Sequence, residues 1–349
     1  MERKKYLDYL RAISCIFIIM VHVAATNYTS ISARSISWNI MNCYDCLAIS
    51  FVPIFFMISG ALMLSKDYPL TGKHLFQKAF RLFLIFYIWC FIYRLEEYVR
   101  NTDAIRISDF KEQIFFKALS GNGMYHLWFL PAVIVLYLVT PLLRQIVKDK
   151  KCCQYFIVIA FVCTNLIPTI LKFSFPGAVV LQNSYNQFAI VCFKNYALYY
   201  VLGYYLDCYV DLKSRKEIVI SSIAAIVCFA FQAGICCIDA YQKNQASTIM
   251  NDPFTVFMPG ICICIFLLFK RYLSSCKSIY GFIRNFGKLS IGIYIIHPLI
   301  LIVLSRFNIE PIIGPVILTI PLFAVCVALI CYIICFIINK IPIIRKLLF

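Results

Sequence analysis

The stretch LDYLRAISCIFIIMVHVA, residues 7–24, decides the fold class of this 349-residue chain. It is close to the roughly 20 apolar residues that a membrane-spanning helix needs. Arg11 and His22 interrupt it, and ionisable groups inside a membrane segment are costly and usually functional. They share one face of a helix and lie roughly 16 Å apart along its axis, because eleven residues at 100° per residue come close to three whole turns. The stretch therefore predicts a membrane helix with a polar group towards each end of one face.

The composition extends this prediction to the whole chain. Hydrophobic residues make up 62% of the sequence and charged residues 14%, with a mean hydropathy of +0.83. Such values are typical of an all-α, polytopic integral membrane protein, and they leave no room for a soluble domain of useful size. We predict a single transmembrane domain over residues 1–349. Its ten expected spans lie near residues 7–25, 45–65, 80–96, 127–143, 154–171, 188–206, 217–237, 254–269, 290–304 and 312–338.

The distribution of basic residues predicts the topology. With both termini cytoplasmic, most of the 33 lysines and arginines fall in cytoplasmic segments, as the positive-inside rule requires. The net charge of +17 is explained by topology and by anionic lipid, so no nucleic acid partner is expected. One expected loop, residues 66–81, interleaves Lys73, His74, Lys78 and Arg81 with apolar residues in an amphipathic pattern. It predicts a cytoplasmic site for a phosphorylated ligand.

The first span also resembles a secretory signal, with a basic start and small residues at Ala24 and Ala25. Arg11 and His22 interrupt its apolar core and nine further spans follow, which favours a retained helix.

The 18 cysteines fall almost entirely within predicted spans or cytoplasmic loops, where thiols act as small packing residues. Cys43 and Cys46 form a lone C-x-x-C without a second pair, so no metal site is expected.

Three further segments carry residues that are candidates for the functional site. An ordinary structural role explains the presence of each of them equally well. In the second span, Pro53 can bend the helix and Ser59-Gly60 can admit a close neighbour, as plain helix packing also requires. The fourth span begins with His126 and Trp128, and a tryptophan at the interface is an ordinary membrane anchor. In the ninth span, GIYIIHPLIL, His297 can simply bond a carbonyl that Pro298 frees.

Two acidic residues are candidate partners of the polar pair. Asp8, three residues before Arg11, is expected to pair with the guanidinium. Asp45 opens the second span on the side of His22, and it either orients the imidazole or is an exposed aspartate at a helix start.

Taken in order, these segments resemble the acyltransferase-3 family of membrane O-acyltransferases. The similar blocks are the first helix with its arginine, ten intervening residues and histidine; PIFFMISGALML; KAFRLFLIFY; HLWFLPAVIVLYLVTPLL; and GIYIIHPLIL. The HLWFL form is most similar to the branch of bacterial surface-polysaccharide O-acetyltransferases. Another branch carries W-S-L-x-x-E there, but this chain has Val133 at the glutamate position, so that carboxylate role does not transfer.

The resemblance implies an O-acetyltransferase of the bacterial plasma membrane. Its donor would be cytoplasmic acetyl-CoA, and its acceptor a hydroxyl of an outward-facing glycan or lipid-linked sugar. Arg11 would pair with a phosphate of CoA, and His22 would take the proton of the acceptor hydroxyl or carry the acyl group. The remaining expected site residues are Lys73, Lys78, Arg81 and Ser59 for the donor, and His126, Trp128, Tyr294, His297 and Asp45 for the acceptor.

Two other functional classes stay open. A transporter or flippase of a lipid-linked glycan or small molecule would also have ten spans, buried charges and helices broken by proline, although no inverted repeat is evident. A structural or receptor-like function would not explain why Arg11 and His22 share one face of a helix. Turnover of labelled acetyl-CoA that depends on His22 separates the enzyme from both.

Overall fold

The structure, a computed structural model, describes residues 3–66, 71–101, 110–121, 123–188, 196–276, 278–311, 314–342 and 345. These ranges are helical without a β-strand, which confirms the all-α fold class. The main helices are α1 Lys5–Ala25, α2 Ile36–Ala48, α3 Phe51–Met63, α4 Gly72–Asn101, α5 Phe129–Ile146, α6 Lys150–Phe161, α7 Ala178–Phe188, α8 Ala197–Tyr209, α9 Arg215–Lys243, α10 Met258–Leu273, α11 Tyr280–Lys288, α12 Ser290–Arg306 and α13 Val316–Ile338.

Seven helical segments of the described ranges are long and apolar enough to cross a membrane. The bent pair of α11 and α12, which turns through 72°, makes an eighth if it counts as one span. Helix α10 has only 16 residues, and the expected span 188–206 lies partly outside the described residues. The count of ten spans and the cytoplasmic placement of the termini stay predictions. The seven segments are Lys5–Ala25, Ile36–Met63, Gly72–Asn101, Tyr125–Ile146, Lys150–Ile170, Arg215–Lys243 and Val316–Ile338.

Helix α1 lies at the centre of the bundle. It packs against α2, α3, α10, α11, α12 and α13, and residues from several of its faces, such as Leu10 and Ile19, are fully buried. A helix enclosed in this way presents its polar groups to neighbouring helices and cavities instead of to lipid. The central position of α1 therefore brings both Arg11 and His22 inside the protein.

The crossing of α3 and α8 depends on two glycines. A Cβ atom added to Gly60 would lie 1.7 Å from the carbonyl oxygen of Tyr200, and one added to Gly203 would lie 2.1 Å from that of Met57. Both contacts are with backbone, so no side chain can move aside to make room. Gly60 admits the neighbouring backbone, as small residues do in membrane bundles, while the preceding Ser59 lines the cavities described below.

The basic segment that the sequence assigns to a loop is mostly helical. Helix α4 begins at Gly72, so Lys73, Lys78 and Arg81 lie on its first turns, and residues 67–70 lie outside the described ranges. The apolar positions Leu75 and Ala79 are buried while Lys73 and Arg81 are exposed. The expectation of a loop was therefore wrong for residues 72–81, and the amphipathic pattern seen there in the sequence is that of a helix.

Candidate functional site

Three cavities lie along α1, and we name them from their lining. The basic cavity, of about 490 Å³, is lined by Arg3, Lys4, Leu7, Asp8, Arg11, Ser59, Leu62, Met63, Lys78 and Tyr137. The central cavity, of about 210 Å³, shares Arg11, Ser59 and Tyr137 with it and continues past Ile18 and Phe129 to Tyr294. The histidine cavity, of about 480 Å³, contains His22 and shares no lining residue with the other two.

Arg11 lies where the basic and central cavities meet. Its guanidinium has no hydrogen-bond or ion-pair partner among the described residues, because the expected partner is engaged elsewhere. Asp8 accepts hydrogen bonds from Nε and Nη2 of Arg3 at 2.6 and 2.8 Å, and from the hydroxyl of Tyr280 at 2.7 Å. The expected Asp8–Arg11 pair was therefore wrong. Arg11 keeps its planar set of donors for a ligand in the cavities.

The basic cavity carries an excess of positive charge. Arg3, Lys4, Arg11 and Lys78 line it together with a single acid, Asp8. Of the three basic residues that the sequence selected at the start of α4, only Lys78 lines this cavity, whereas Lys73 and Arg81 are exposed on the surface of the helix. A chamber of this charge suits an anionic ligand such as a phosphate ester.

At the other end of α1, three of the four histidines of the chain form one cluster. The ring of His22 stacks on that of His297, with centroids 5.0 Å apart and planes 22° from parallel. His126 packs edge-on against His297 at 5.5 Å. His126 and His297 are fully enclosed, but His22 is only partly buried and lines the histidine cavity. The sequence separates these residues widely, and folding brings them together.

Pro298 organises two members of this histidine cluster. A proline inside a helix has no N–H for the carbonyl four residues before it and disturbs the ladder around that point. Here the carbonyl oxygen of Tyr294 accepts from Nδ1–H of His297 at 2.5 Å. The next carbonyl, of Ile295, accepts from Nε2–H of His126 at 3.3 Å and from the hydroxyl of Tyr93 at 2.6 Å.

These bonds fix the proton positions on both rings, because a carbonyl oxygen can only accept. Nε2 of His297 and Nδ1 of His126 are left without a partner among the described residues. A ring nitrogen that carries no proton is an acceptor for a hydroxyl or for an imidazole N–H. The hydrogen bond between His297 and a carbonyl freed by Pro298, expected from the sequence, is confirmed, and it leaves the second nitrogen available.

Tyr294 lies between the central cavity and the histidine cluster. It lines the central cavity, its ring contacts those of His126 and His297 with centroids 5.6 and 5.8 Å apart, and its hydroxyl donates to the carbonyl of His126. Phe129 packs against Tyr294 at 5.2 Å and lines the same cavity. These aromatic rings form a partition between the Arg11 end and the His22 end.

The histidine cavity combines an aromatic surface with polar groups of both charges. Tyr125 is 58% exposed and contacts the ring of His22, with centroids 5.0 Å apart. Arg100 and Arg306 also line the cavity, and each makes an ion pair with Glu96, at 3.2 and 3.1 Å. Exposed aromatic faces beside hydrogen-bonding groups suit a hydroxylated, partly apolar ligand such as a sugar. The remaining polar lining is supplied by Thr26, Ser305 and Glu310.

Trp128 and Asp45 lie apart from His22. Trp128 stacks on Tyr196 at 5.4 Å and is 45% exposed, a geometry that also fits the anchoring role. Asp45 lies within α2, is 5% exposed, and accepts a hydrogen bond from Asn251. The expectations that it orients the imidazole, or is an exposed aspartate at a helix start, were therefore wrong. The span begins nine residues earlier than expected, so Asp45 is deep within it.

Sequence reasoning did not select several residues of these cavities. Tyr125, next to His126, has the largest exposed aromatic surface in the histidine cavity. Lys288 and Ser290 line the central cavity beside Arg11 and immediately precede the GIYIIHPLIL block. Their proximity to that block was the available signal, but no sequence motif indicates the bend that turns them towards Arg11.

In the described ranges, no group of three or more His, Cys, Asp or Glu side chains has a metal-binding arrangement, and the absence of a metal stays a prediction.

The fold and these cavities define a multi-pass membrane protein with an internal polar site, and comparison with known proteins identifies its family. Residues 4–340 match the sequence model of a protein family that is described as an acyltransferase domain. The chain belongs to this acyltransferase family, the acyltransferase-3 family that the sequence blocks resemble.

One similar curated protein is an amino-acid racemase from Enterococcus faecalis, 20% identical over 272 residues. The match covers 74% of this chain and 36% of the racemase, so the chain spans little more than a third of that relative's length. No solved structure matches the chain with significance.

Proposed function

We propose that this protein is a membrane O-acyltransferase that moves an acyl group, most simply acetyl, from cytoplasmic acyl-CoA to a hydroxyl of a surface glycan or lipid-linked sugar. The observation that carries the proposal is the division of α1. Arg11 lies unpaired in connected basic and central cavities, and His22 lies in a separate cavity beside two histidines. A reaction between a charged donor and a hydroxylated acceptor needs two such differently built ends.

The donor is assigned to the Arg11 end from charge. Acyl-CoA carries several phosphate charges. Four cations line the basic cavity, and of these Arg3 is paired with Asp8, Lys4 is paired with Asp207, and the guanidinium of Arg11 is unpaired.

The central cavity is polar beside Arg11, where Lys288 and Ser290 line it, and its remaining lining is mainly apolar, as at Ile18, Phe55 and Phe129. The apolar part suits the uncharged pantetheine arm. Ser59 lines both cavities and offers a hydroxyl along the arm. The thioester then approaches Tyr294 and the histidine cluster.

The transfer requires removal of one proton and rupture of one bond. His22 takes the proton of the acceptor hydroxyl as its oxygen attacks the thioester carbonyl carbon, which forms the ester bond. The carbon–sulfur bond breaks, and the CoA thiolate leaves and recovers the proton from His22. His297 holds the stacked ring in position, and its unprotonated Nε2 can accept a hydrogen bond from the other side of the reaction centre. Tyr294 and Phe129, which form the partition, lie between the two ends, and the acyl group would have to pass these rings.

The acceptor is assigned to the histidine cavity. Tyr125 supplies an exposed ring for an apolar sugar face, and Arg306, Glu310 and Ser305 supply donors and acceptors for hydroxyls. His126 packs against His297 beside this cavity, whereas Trp128 stacks on Tyr196 and is not assigned to the acceptor. A glycan outside a bacterial plasma membrane, or one attached to a membrane lipid, would reach the cavity from its side of the bilayer.

The test uses membranes that contain the full chain and acetyl-CoA labelled in the acetyl group. We expect label to pass to a glycan fraction, and we expect His22→Ala to abolish that transfer. His74→Ala is the matched control, because His74 is the exposed fourth histidine and lies at the start of α4. Equal labelling by the His22→Ala and His74→Ala proteins would overturn the assignment of the chemistry to His22.

A transporter or flippase would give a different result in the same assay. It would move a glycan or small molecule without covalent labelling, whatever residue stands at position 22. The aromatic rings between the two ends and the absence of shared lining between the central and histidine cavities favour transfer of a small group over passage of a whole substrate.

A further inference from the structure

The bend between α11 and α12 brings a second set of polar groups to Arg11. Helix α11 ends at Lys288, helix α12 begins at Ser290, and their axes differ by 72°. The turn packs directly on the arginine: a methyl group added at Gly287 would lie 3.8 Å from Cδ of Arg11. Lys288, Ser290 and Arg11 all line the central cavity.

Ser290 is the least expected member of this set. The residue is only 3% exposed, and its hydroxyl makes no hydrogen bond in the part of the chain that the structure describes. Its oxygen is not one of the fully enclosed unpartnered atoms of the described residues, so it is accessible from the cavity. Since Ser290 lines the central cavity, a ligand in that cavity is the natural partner.

The charged residues beside Ser290 give the sign of that ligand. Ser290 is the first residue of α12, but α11 ends at Lys288, so the partial charges of the two helix ends oppose each other at the bend. Lys288 and Arg11 both line the cavity with Ser290 and carry full positive charges. Two cations and an accessible hydroxyl together match a phosphate or pyrophosphate group.

We propose that Lys288 and Ser290, at the bend between α11 and α12, complete with Arg11 a site for the phosphate groups of the acyl donor. This inference rests on the proposed function, and it names binding residues that lie in a different helix from the basic residues of α4. The donor is thereby held from two sides, by α1 and by the start of the helix that carries Tyr294 and His297. Binding of the phosphates and placement of the histidines then depend on one helix.

The test measures binding of CoA and of pantetheine to the purified full-length protein in detergent. Pantetheine has the same arm and thiol but lacks the phosphates. We expect Ser290→Ala and Lys288→Gln each to weaken CoA binding about 10- to 100-fold, the usual range for a hydrogen bond to a charged group, and to leave pantetheine binding unchanged. The matched controls are Lys216→Gln, an exposed lysine at the start of α9, and Ser274→Ala, an exposed serine after α10; both should bind CoA normally.

Each outcome decides the proposal. If the unmodified protein binds CoA and both variants bind it equally well, the phosphate site is wrong while the acyltransferase proposal stands. If the unmodified protein does not bind CoA, the acyl-CoA donor is wrong, and inorganic pyrophosphate then becomes the probe. Pyrophosphate binding that is lost in both variants would still support the anion site, and its absence from the unmodified protein would overturn it. Elution of each variant as the unmodified protein does on size exclusion shows that the substitutions leave the fold intact.

Discussion

The two ends of α1 differ in what their polar groups are bonded to. At the Arg11 end, the surrounding charges are mostly paired with each other, as in Arg3 with Asp8 and Lys4 with Asp207, and one guanidinium is left unpaired. At the His22 end, two of three histidines are fixed by backbone carbonyls, and the third faces a cavity. An unpaired guanidinium in the basic cavity is suited to bind an anion. A group of oriented imidazoles is suited to move a proton.

In the proposed mechanism, α1 separates donor recognition from chemistry by roughly 16 Å. Variants at the two ends should therefore fail in different ways. Those at the Arg11 end should change the affinity for the donor, and those at the His22 end should change the rate of transfer.

The largest expected effect is that of His22→Ala on turnover. A positioned general base contributes roughly 10²–10⁴-fold to a rate, so acyl transfer should fall by at least about 10²-fold while CoA binding stays normal. Steady-state transfer of labelled acetyl, together with calorimetric binding of CoA, checks both quantities. Loss of CoA binding in this variant would erase the contrast between the two ends.

Arg11→Lys should have the next largest effect, on donor affinity. Lysine keeps the charge but loses the planar set of donors that binds phosphate in two places, so the dissociation constant for CoA should rise about tenfold or more. Turnover at saturating donor should be retained in part. Arg34→Lys, an equally conservative change at an exposed arginine outside the cavities, is the control. Normal CoA affinity with lost turnover would move Arg11 from recognition to chemistry.

Lys78→Ala and Lys73→Ala test the boundary of the basic cavity. Both residues are on the first turns of α4, but only Lys78 lines the cavity. We expect the Michaelis constant for acetyl-CoA to rise about tenfold in Lys78→Ala and to change little in Lys73→Ala. Arg81→Ala, another exposed position, should resemble Lys73→Ala. Equal effects at all three positions would favour a diffuse surface attraction over a defined chamber.

The smallest expected effect is that of Tyr125→Ala on the acceptor. Loss of one exposed aromatic face should weaken sugar binding by about 1 kcal/mol, or roughly fivefold in the Michaelis constant for the acceptor. The constant for acetyl-CoA should not change. A shift in the donor constant alone would assign the histidine cavity to the wrong substrate.

Much of the fold could be predicted from the sequence because lipid imposes a simple rule. A spanning segment must be a long apolar helix, and each of the expected spans has a helix in the described ranges, although residues 189–195 of one lie outside them. The lengths of the spans were harder to predict. The second span begins at Ile36, well before the apolar run at residue 45. Hydropathy does not reveal this start, because the first turns are polar and pack on other helices.

The candidate site was predicted in part. Arg11 and His22 follow from helical spacing, and His297 with its freed carbonyl follows from Pro298, since these are properties of single helices. The partners of the acidic residues could not be predicted from single helices. Asp8 pairs with Arg3 instead of Arg11, and Asp45 accepts a hydrogen bond from Asn251. Such choices depend on distances between segments that are remote in sequence. Lys288 and Ser290 escaped notice for the same reason, because only the 72° bend turns them towards Arg11.

The partition made by Tyr294 and Phe129 has an electrical consequence. Moving one elementary charge across a membrane potential involves about 2.3 kcal/mol per 100 mV, and most of the voltage falls across the least hydrated part of a protein. If the donor phosphates stay at the Arg11 end, an acyl group passes the rings in one direction and the proton that His22 returns to the CoA thiolate passes in the other, so the exchange moves no net charge through the field. The reaction would then proceed equally well in energised and de-energised membranes, and the protein would add no leak for protons or ions.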